Sequence, residues 1–302
     1  MPKEAYERKL REIEALRNDP EAALAELPKR LSDRNGYLVS KAAAVAGDLG
    51  LESLIPNLLK AFDRFFGPDP AKKDPKCWAK AAIIKALKDL GCREPEPYLR
   101  GVTHVQPEPV WGGEQDSAAA LRGASALALV DCSIDNLTLM RRLVDLLADP
   151  ETPARGDAAL AIGQAGSEGG LLALRLKARL GDPEPEVIGQ VFSSLLALDG
   201  AEAVTFLVPF RTGDDVYART EAAAVLAGSH RPEALEVLRK AWRGRLDPET
   251  REALLAGLTA SPLEASADFL LQIAEEEPEW REAAMTALQR SRHWRRVEGE
   301  AS

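Results

Sequence analysis

The sequence predicts an all-α protein built from about eight consecutive helical-hairpin repeats. Three observations support this class: a composition dominated by Ala and Leu, a basic motif that recurs at a nearly constant interval, and Asp, Pro and Gly between the repeats. The 302 residues are 45% hydrophobic, but only 5% are aromatic. This profile is typical of closely packed helices, because sheets favour β-branched and aromatic side chains.

The recurring motif is a basic residue followed by small residues, as in "SKAAAVAGDLG" and "ARGDAALAIGQAG". A second segment rich in leucine follows each motif, as in "LLALRLKARL". Successive motifs are 39, 42, 33, 33, 31, 32 and 30 residues apart. Because the phase persists over seven intervals, the motif indicates tandem two-helix repeats. Ile188 replaces the basic residue in the fifth copy; the other anchors are Lys41, Lys80, Arg122, Arg155, Arg219, Arg251 and Arg281.

Aspartates punctuate the repeats. Four of them precede their anchors by six residues: Asp74, Asp116, Asp149 and Asp182. Three are followed by Pro, as is Asp247 in a later repeat. An Asp at the N-cap with Pro at the first helical position satisfies free amides without losing a needed donor. We therefore predict that these aspartates are structural caps and not catalytic residues.

This pattern resembles the HEAT-like repeat family, in particular the short bacterial repeats related to phycobilin lyases, over roughly residues 32–290. The resemblance implies a right-handed α-solenoid whose second helices line the concave face. It also implies a ladder of ion pairs between the Asp before one helix and the Arg inside a neighbouring one. Ile188 would interrupt that ladder. Such scaffolds host many functions, so the resemblance predicts fold more specifically than activity.

The predicted organisation has three parts. Residues 1–31 form an N-terminal helical cap, residues 32–290 the array, and residues 291–302 a polar C-terminal tail. Two repeats are too long, and the excess falls in extended loops at 62–76 and 101–116. Both loops join a second helix to the next first helix, so we expect them on the same edge of the array.

The two edge loops are the first candidate binding site, because insertions on one face often mark a binding face. They offer aromatic, basic and polar side chains to a peptide or a small acidic ligand. The alternative is a structural cover in which Trp111 is buried as an anchor. The candidate residues are Phe66, Lys73, His104, Gln106, Trp111 and Glu114.

The basic second helices are the second candidate site. If their arginines face the concavity, they form a positive stripe for an acidic protein or peptide segment. A nucleic-acid groove of the HEAT-like DNA glycosylase kind, with Trp242 and Asp247 near the base, is an alternative that the net charge of −9 disfavours. The stripe residues are Arg141, Arg142, Arg175, Arg179, Arg239 and Arg243.

Metal and cofactor sites are not predicted. Cys77, Cys92 and Cys132 form no CxxC motif, and no HxxxH or HxE spacing occurs. A related enzyme of this architecture holds two irons with His-Glu pairs, and none of the three histidines here is followed by Glu. A chromophore-lyase activity rests on the family resemblance alone and stays an open alternative.

The sequence therefore predicts a non-catalytic scaffold that binds a protein or peptide partner through its concave face and edge loops. The N-terminus lacks the apolar core of a signal peptide, and no apolar run is expected to approach the roughly 20 residues that span a bilayer. We predict a cytoplasmic protein without a membrane partner.

Overall fold

A computed structural model describes residues 3–244 and 246–300 of the chain. The prediction of an all-α fold is confirmed, since the described residues are mostly helical and contain one two-stranded hairpin. The chain divides into two compact units, Met1–Ala161 and Ile162–Ser302, which are described separately.

Unit 1 contains pairs of helices and the β-hairpin, and α10 runs across its boundary. The two strands, β1 and β2, are antiparallel and separate α7 from α8. The elements are α1 Lys3–Ala15, α2 Pro20–Leu31, α3 Gly36–Asp48, α4 Ile55–Arg64, α5 Pro70–Lys73, α6 Trp78–Asp89, α7 Pro95–Gly101, β1 Pro107–Val110, β2 Gly113–Asp116, α8 Ala119–Leu129, α9 Asn136–Leu147 and α10 Thr152–Ala165.

Unit 2 is helical throughout its described residues. Short 3-10 turns occur in both units, and the longest of them follows α12 at Val208–Thr212. The helices are α11 Glu168–Leu180, α12 Pro185–Leu207, α13 Val216–Gly228, α14 Pro232–Trp242, α15 Pro248–Ala260, α16 Glu264–Glu276, α17 Arg281–Arg290 and α18 Trp294–Glu300.

Small residues let the first helices of successive repeats approach closely. In unit 1, a Cβ added to Gly47 of α3 would lie 3.2 Å from the Cα of Ala86 on α6. In unit 2, a Cβ on Gly257 of α15 would overlap the carbonyl oxygen of Ala224 on α13. Every predicted anchor lies on such a first helix, so the sequence period corresponds to one helical hairpin.

The predicted N-cap role is correct for Asp247, whose side chain accepts from the amide of Thr250 with Pro248 at the first position of α15. It is wrong for Asp116, Asp149 and Asp182. Their side chains accept from the amide two residues later, which closes a turn before the helix begins. Asp74 lies outside α6 but accepts from its first-turn amides at Ala79 and Lys80.

The expectation about apolar runs is also wrong. Within the described residues, the helical stretch Pro185–Thr212 is long and apolar enough to cross a membrane by length and composition. Half of its most apolar window is buried inside the protein. Gly200 takes φ 53° and ψ −120° and divides α12 into two helical segments, which form one hairpin of unit 2.

The predicted parts of the chain need three adjustments. The N-terminal cap comprises two helices, α1 and α2, because Asp19 caps a second helix that starts at Pro20. The region 62–76 is not a continuous loop, since it contains the end of α4 and all of α5. The C-terminal tail includes the helix Trp294–Glu300, while its residues 301–302 lie outside the described part.

Candidate functional site

The predicted loop 101–116 contains a β-hairpin. Pro107 pairs with Asp116 and Val110 with Gly113, so Trp111 and Gly112 form the connecting turn. Gly112 has φ +93°, a conformation that an L side chain disfavours, and this explains a glycine at the second position of the turn.

Gln106 fixes the base of the hairpin and is buried, so its prediction as a ligand-binding side chain is wrong. Its amide nitrogen donates to the carbonyl oxygen of Asp74 at 2.9 Å and to Glu108 Oε1 at 2.7 Å. Its side-chain oxygen accepts from Lys80 Nζ at 2.5 Å. Because buried polar groups must be paired, Gln106 joins the hairpin to the segment before α6.

Lys80 is fully buried, although the sequence marks it only as a repeat anchor. Its ammonium lies 3.9 Å from Asp74 Oδ2 and 5.4 Å from the ring centroid of Phe66. Burial raises the pKa of Asp74, while amide hydrogen bonds and Lys80 act in the opposite direction. A buried charge of this kind is costly without partners, so Lys80 requires both the loop and the hairpin in place.

His104 is half-buried against the ring of Phe66, with the ring centroids 4.8 Å apart. Its Nε2 lies 3.5 Å from Gln106 Oε1, and its carbonyl oxygen accepts from Arg122 Nη1 at 2.9 Å. Burial, with help from Lys80, lowers the pKa of His104. These contacts make His104 and Phe66 part of the hairpin's support.

The segment before α6 adopts an unusual backbone. Lys76 and Cys77 have φ of 58° and 52°, and Asp69 has φ of 53°. Non-glycine residues rarely take this left-handed conformation, so surrounding contacts must hold it. One such contact is the amide of Lys76, which donates to Glu108 Oε1 at 2.6 Å. The two edge loops are therefore bonded to each other, as expected from their positions in the repeats.

Glu108 is the shared acceptor of this junction. Its Oε1 also accepts from Ser117 Oγ at 2.6 Å. Burial alone would raise the pKa of Glu108, but hydrogen bonds from Ser117, Gln106 and the Lys76 amide lower it. Glu108 is thus ionised at neutral pH and ties the first strand to both flanking segments.

The tip of the hairpin projects into solvent. Trp111 is fully exposed (103% of its reference area), and Val105 and Val110 are exposed near it in sequence. Glu114 on the second strand is exposed as well. The alternative in which Trp111 anchors the loop in the core is wrong. Large aromatic side chains are usually at least partly buried, so a fully exposed indole on a firmly held hairpin is unusual.

A second exposed aromatic group lies at the start of α6. Trp78 packs edge-on against Tyr37, with ring centroids 4.9 Å apart, and Lys76 Nζ lies 5.5 Å from the Trp78 centroid. These rings line a groove of about 530 Å³, the Trp78 groove, together with Tyr6, Arg34, Lys72, Lys73 and other residues. The groove also contains Asp33, which pairs with Lys9 at 2.6 Å, so its lining is aromatic with three basic residues and one carboxylate.

The opposite side of the hairpin base carries the predicted Asp–Arg ladder. Arg122 donates to Asp116 of its own repeat at 2.5 Å and to Asp149 of the next at 2.8 Å. In unit 2, Arg219 Nε lies 2.9 Å from Asp247 Oδ2 of the following repeat. Other anchors make further contacts: Arg155 donates to the carbonyl oxygens of Asp149 and Pro150, and Lys41 lies over the Tyr37 ring.

Two further anchors of unit 2 contact groups other than a repeat aspartate. Arg251 lies 3.7 Å from Glu277 and Glu279 and packs on the rings of Trp242 and Trp280. Arg281 Nε donates to the carbonyl oxygen of Ala274 at 2.9 Å. Most anchors therefore tie helices together, and Arg122 and Arg219 do so through the repeat aspartate of the next hairpin.

The basic second helices divide between the units. In unit 1, Arg141 and Arg142 of α9 are exposed, and Arg142 lines a groove of about 320 Å³ beside Arg122. In unit 2, Arg175 pairs with Asp199 at 3.3 Å and lies 4.1 Å from the Phe206 centroid. The other members in unit 2 are Arg179 and Arg243, which are exposed, and Arg239, which donates to the carbonyl oxygen of Ala265.

The residues that could have served nucleic-acid or metal chemistry support the fold instead. Trp242 is buried. Asp247 caps α15, and its hydrogen bonds with Thr250 lower its pKa to about 2, although burial alone would raise it. Cys77 and Cys132 are free thiols, and burial raises the pKa of each to about 11. Among residues 3–244 and 246–300, no group of three His, Cys, Asp or Glu side chains is placed to hold a metal ion.

Comparisons with known proteins give similarities to solved structures. No protein-family model and no curated protein sequence matches the chain. Among solved structures, human deoxyhypusine hydroxylase in complex with glycerol is similar over 84% of this chain and 97% of that chain. The two sequences are 18% identical, and the TM-score is 0.31.

Sequence reasoning missed the buried network and the groove. Lys80 matches the other anchors, so nothing in its motif signals complete burial. Trp78, which is 42% exposed, and the half-buried Tyr37 belong to first helices, for which the repeat pattern predicts small residues and not a groove. The one sequence signal for the network is the extra length of the two loops; its contacts, such as that of Gln106 with the Asp74 carbonyl oxygen, join residues that are distant in sequence.

Proposed function

We propose that the protein is a non-catalytic scaffold that binds a protein or peptide partner through the edge of unit 1. This edge surface consists of the hairpin tip at Trp111, the neighbouring Val110 and the Trp78 groove. The observation that carries the proposal is the fully exposed Trp111 on a hairpin whose base is held by buried hydrogen bonds. Exposed aromatic side chains that are held rigidly are typical binding hot spots, because little entropy is lost on binding.

The charge of the groove favours an acidic partner segment. Lys73 and Arg34 line it and are exposed, and the exposed Lys76 lies over the Trp78 ring. The same groove offers Tyr37 and Trp78 as apolar surfaces, which suits a peptide that alternates acidic and apolar side chains. Asp33, the carboxylate that lines the groove, is paired with Lys9, and His104 and Cys77 are engaged in the support of the hairpin.

The proposed scaffold is a right-handed α-solenoid of the HEAT-like type. Two contacts support stacked repeats within each unit: the close packing of successive first helices, and the Arg122–Asp149 pair between neighbouring hairpins. A concave binding face with Arg141 and Arg142 belongs to the same proposal, as does the cytoplasmic location that the sequence predicts.

The test compares partner capture by matched variants. Affinity purification with wild type, Trp111→Ala and Tyr217→Ala is followed by quantitative mass spectrometry. Tyr217 is an exposed aromatic residue of unit 2 and controls for general loss of surface aromatic area. A partner retained by wild type and Tyr217→Ala but lost with Trp111→Ala supports the proposal, whereas three identical partner sets contradict it.

A further inference from the structure

The helix α11 exposes a row of leucines. Leu172, Leu176 and Leu180 are 67%, 60% and 76% exposed. Residues four apart lie above one another on a helix, so these side chains form one continuous strip, the α11 leucine strip. The core contacts of the helix are made instead from another face, by Gly170, Leu174 and Ala178.

Two other second helices of unit 2 are polar at the same positions. In α14, the buried residues Ala234, Leu238 and Trp242 correspond in phase to those of α11. The positions that match Leu172 and Leu176 are then Glu236 and Lys240, which are exposed. The leucines are therefore not a requirement of the hairpin fold.

The helix α16 is also polar at the positions that match the α11 leucines. Its buried residues at the same phase are Ser266, Leu270 and Ala274. The positions of α16 that match the strip are therefore Asp268 and Glu276, which are exposed, and Gln272, which is half-buried. Charged side chains are the usual occupants of such solvated faces, and a contiguous apolar strip in their place marks an interaction surface.

The two borders of the strip differ in chemistry. With 3.6 residues per turn, Arg175 and Arg179 lie on one side of the leucines, and Gly169 and Ala173 lie on the other. Arg179 lies 5.0 Å from the Phe206 centroid and forms no ion pair within the part of the chain that is described. Gly169 has open space around it. One border thus carries positive charge, and the other allows close approach of a backbone.

We propose that the α11 leucine strip docks an amphipathic helix of a partner protein whose apolar face is bordered by acidic residues. The strip spans about 12 Å, which matches two turns of a partner helix with leucine-like anchors at i, i+4 and i+8. Arg179 selects acidic side chains along one border, while Arg175 beside it is paired with Asp199. The proposal concerns unit 2 and does not rest on the edge surface of unit 1.

The probe is a synthetic peptide of about 16 residues, held helical by a lactam bridge on its polar face. Its leucines are placed at i, i+4 and i+8, and glutamates flank one side. A second peptide carries lysines in place of the glutamates, and a third is a scrambled version of the acidic peptide. Fluorescence anisotropy measures the Kd of each peptide for the full-length protein.

Four proteins are compared: wild type, Leu176→Lys, Arg179→Glu and Lys240→Ser. Leu176→Lys introduces the residue that α14 carries at the matching position. It should raise the Kd of the acidic peptide by at least about tenfold. Arg179→Glu should reverse the preference between acidic and basic peptides. Lys240→Ser is the control on α14 and should bind like wild type.

Other outcomes would overturn the proposal. Equal binding of the acidic, basic and scrambled peptides, or no binding at millimolar concentration, removes the acidic helix as the occupant. Sedimentation in which wild type dimerises and Leu176→Lys is monomeric would assign the strip to a second copy of this chain. Binding of wild type, but not Leu176→Lys, to vesicles with anionic lipid would assign it to a membrane surface.

Discussion

Both carboxylate oxygens of Asp149 accept hydrogen bonds from Arg122, from Nε and from Nη2, each at 2.8 Å. Arg122 also contacts Asp116 and the carbonyl oxygen of His104, so one buried guanidinium joins two repeats and the hairpin. Bidentate pairs of this kind are geometrically specific, and lysine cannot reproduce them.

Substitution Arg122→Met should lower the free energy of unfolding by about 3–5 kcal/mol, because Asp116 and Asp149 would be left poorly solvated without a cation. Urea denaturation of Arg122→Met and wild type measures this loss. The control is Lys88→Gln, which removes an exposed pair with Asp131 at 3.8 Å and should change stability by less than about 1 kcal/mol. Equal losses in the two variants would contradict the joining role of Arg122.

Removal of the Gln106 side chain should detach the hairpin. In Gln106→Ala, the buried ammonium of Lys80 loses its nearest acceptor, at a cost of about 2–3 kcal/mol. Hydrogen exchange should accelerate at Ser117, whose amide donates to the Gln106 carbonyl oxygen. Unchanged exchange in this variant would mean that Gln106 does not hold the hairpin.

Trp111→Ala should leave stability within about 0.5 kcal/mol of wild type, because the indole is fully exposed. Phe66→Ala removes a half-buried ring that contacts Phe62 and His104 and should cost about 2 kcal/mol or more. Thermal denaturation of both variants separates a surface role from a supporting one. A large loss with Trp111→Ala would reassign this residue to the fold.

The lowered pKa of His104 predicts a pH dependence of stability. The unfolded chain protonates His104 below pH 6.5, but the folded protein resists protonation, so the unfolded state binds more protons as pH falls. The free energy of unfolding should therefore decrease from pH 7.5 towards pH 5.5. Denaturation at several pH values should show a smaller decrease for His104→Gln, and identical slopes would contradict a buried neutral imidazole.

Gly257→Ala should destabilise unit 2 by roughly 1–3 kcal/mol, because the added Cβ meets the carbonyl oxygen of Ala224 and the Cβ of Ala227 at 2.7 Å. Gly156 is a helical glycine with open space around it, and Gly156→Ala should instead stabilise the protein by about 0.5–1 kcal/mol. Calorimetry of the two variants tests whether small residues set the spacing of the first helices.

The repeat period predicted the helices well because each hairpin uses the same spacing of small and leucine residues. It could not predict the β-hairpin, since "PEPV" and "GEQD" show no alternation of apolar and polar residues. These strands depend on tertiary anchors, chiefly Gln106 and Glu108. Local pattern carries no information on such anchors, because Lys80 and Asp74 are distant in sequence.

The exposure of the α11 leucines was also not predictable from one helix alone. The sequence "LLALRLKARL" has leucines on more than one face, so the sequence alone does not show which of them pack inward. Only the buried set Gly170, Leu174 and Ala178 identifies the core face. The pairing of the candidate arginines was not predictable either. Arg175 has the charge of a ligand-binding residue, but it pairs with Asp199.

Gly200 has a consequence for the biogenesis of the chain. Its left-handed φ divides a 28-residue apolar stretch into a hairpin, and a Cβ at this position would lie 3.3 Å from the guanidinium of Arg231. With alanine there, the same residues would favour a single straight rod of membrane-spanning length during synthesis. One missing methyl group thus separates a folding hairpin from a segment that a membrane-insertion pathway could recognise.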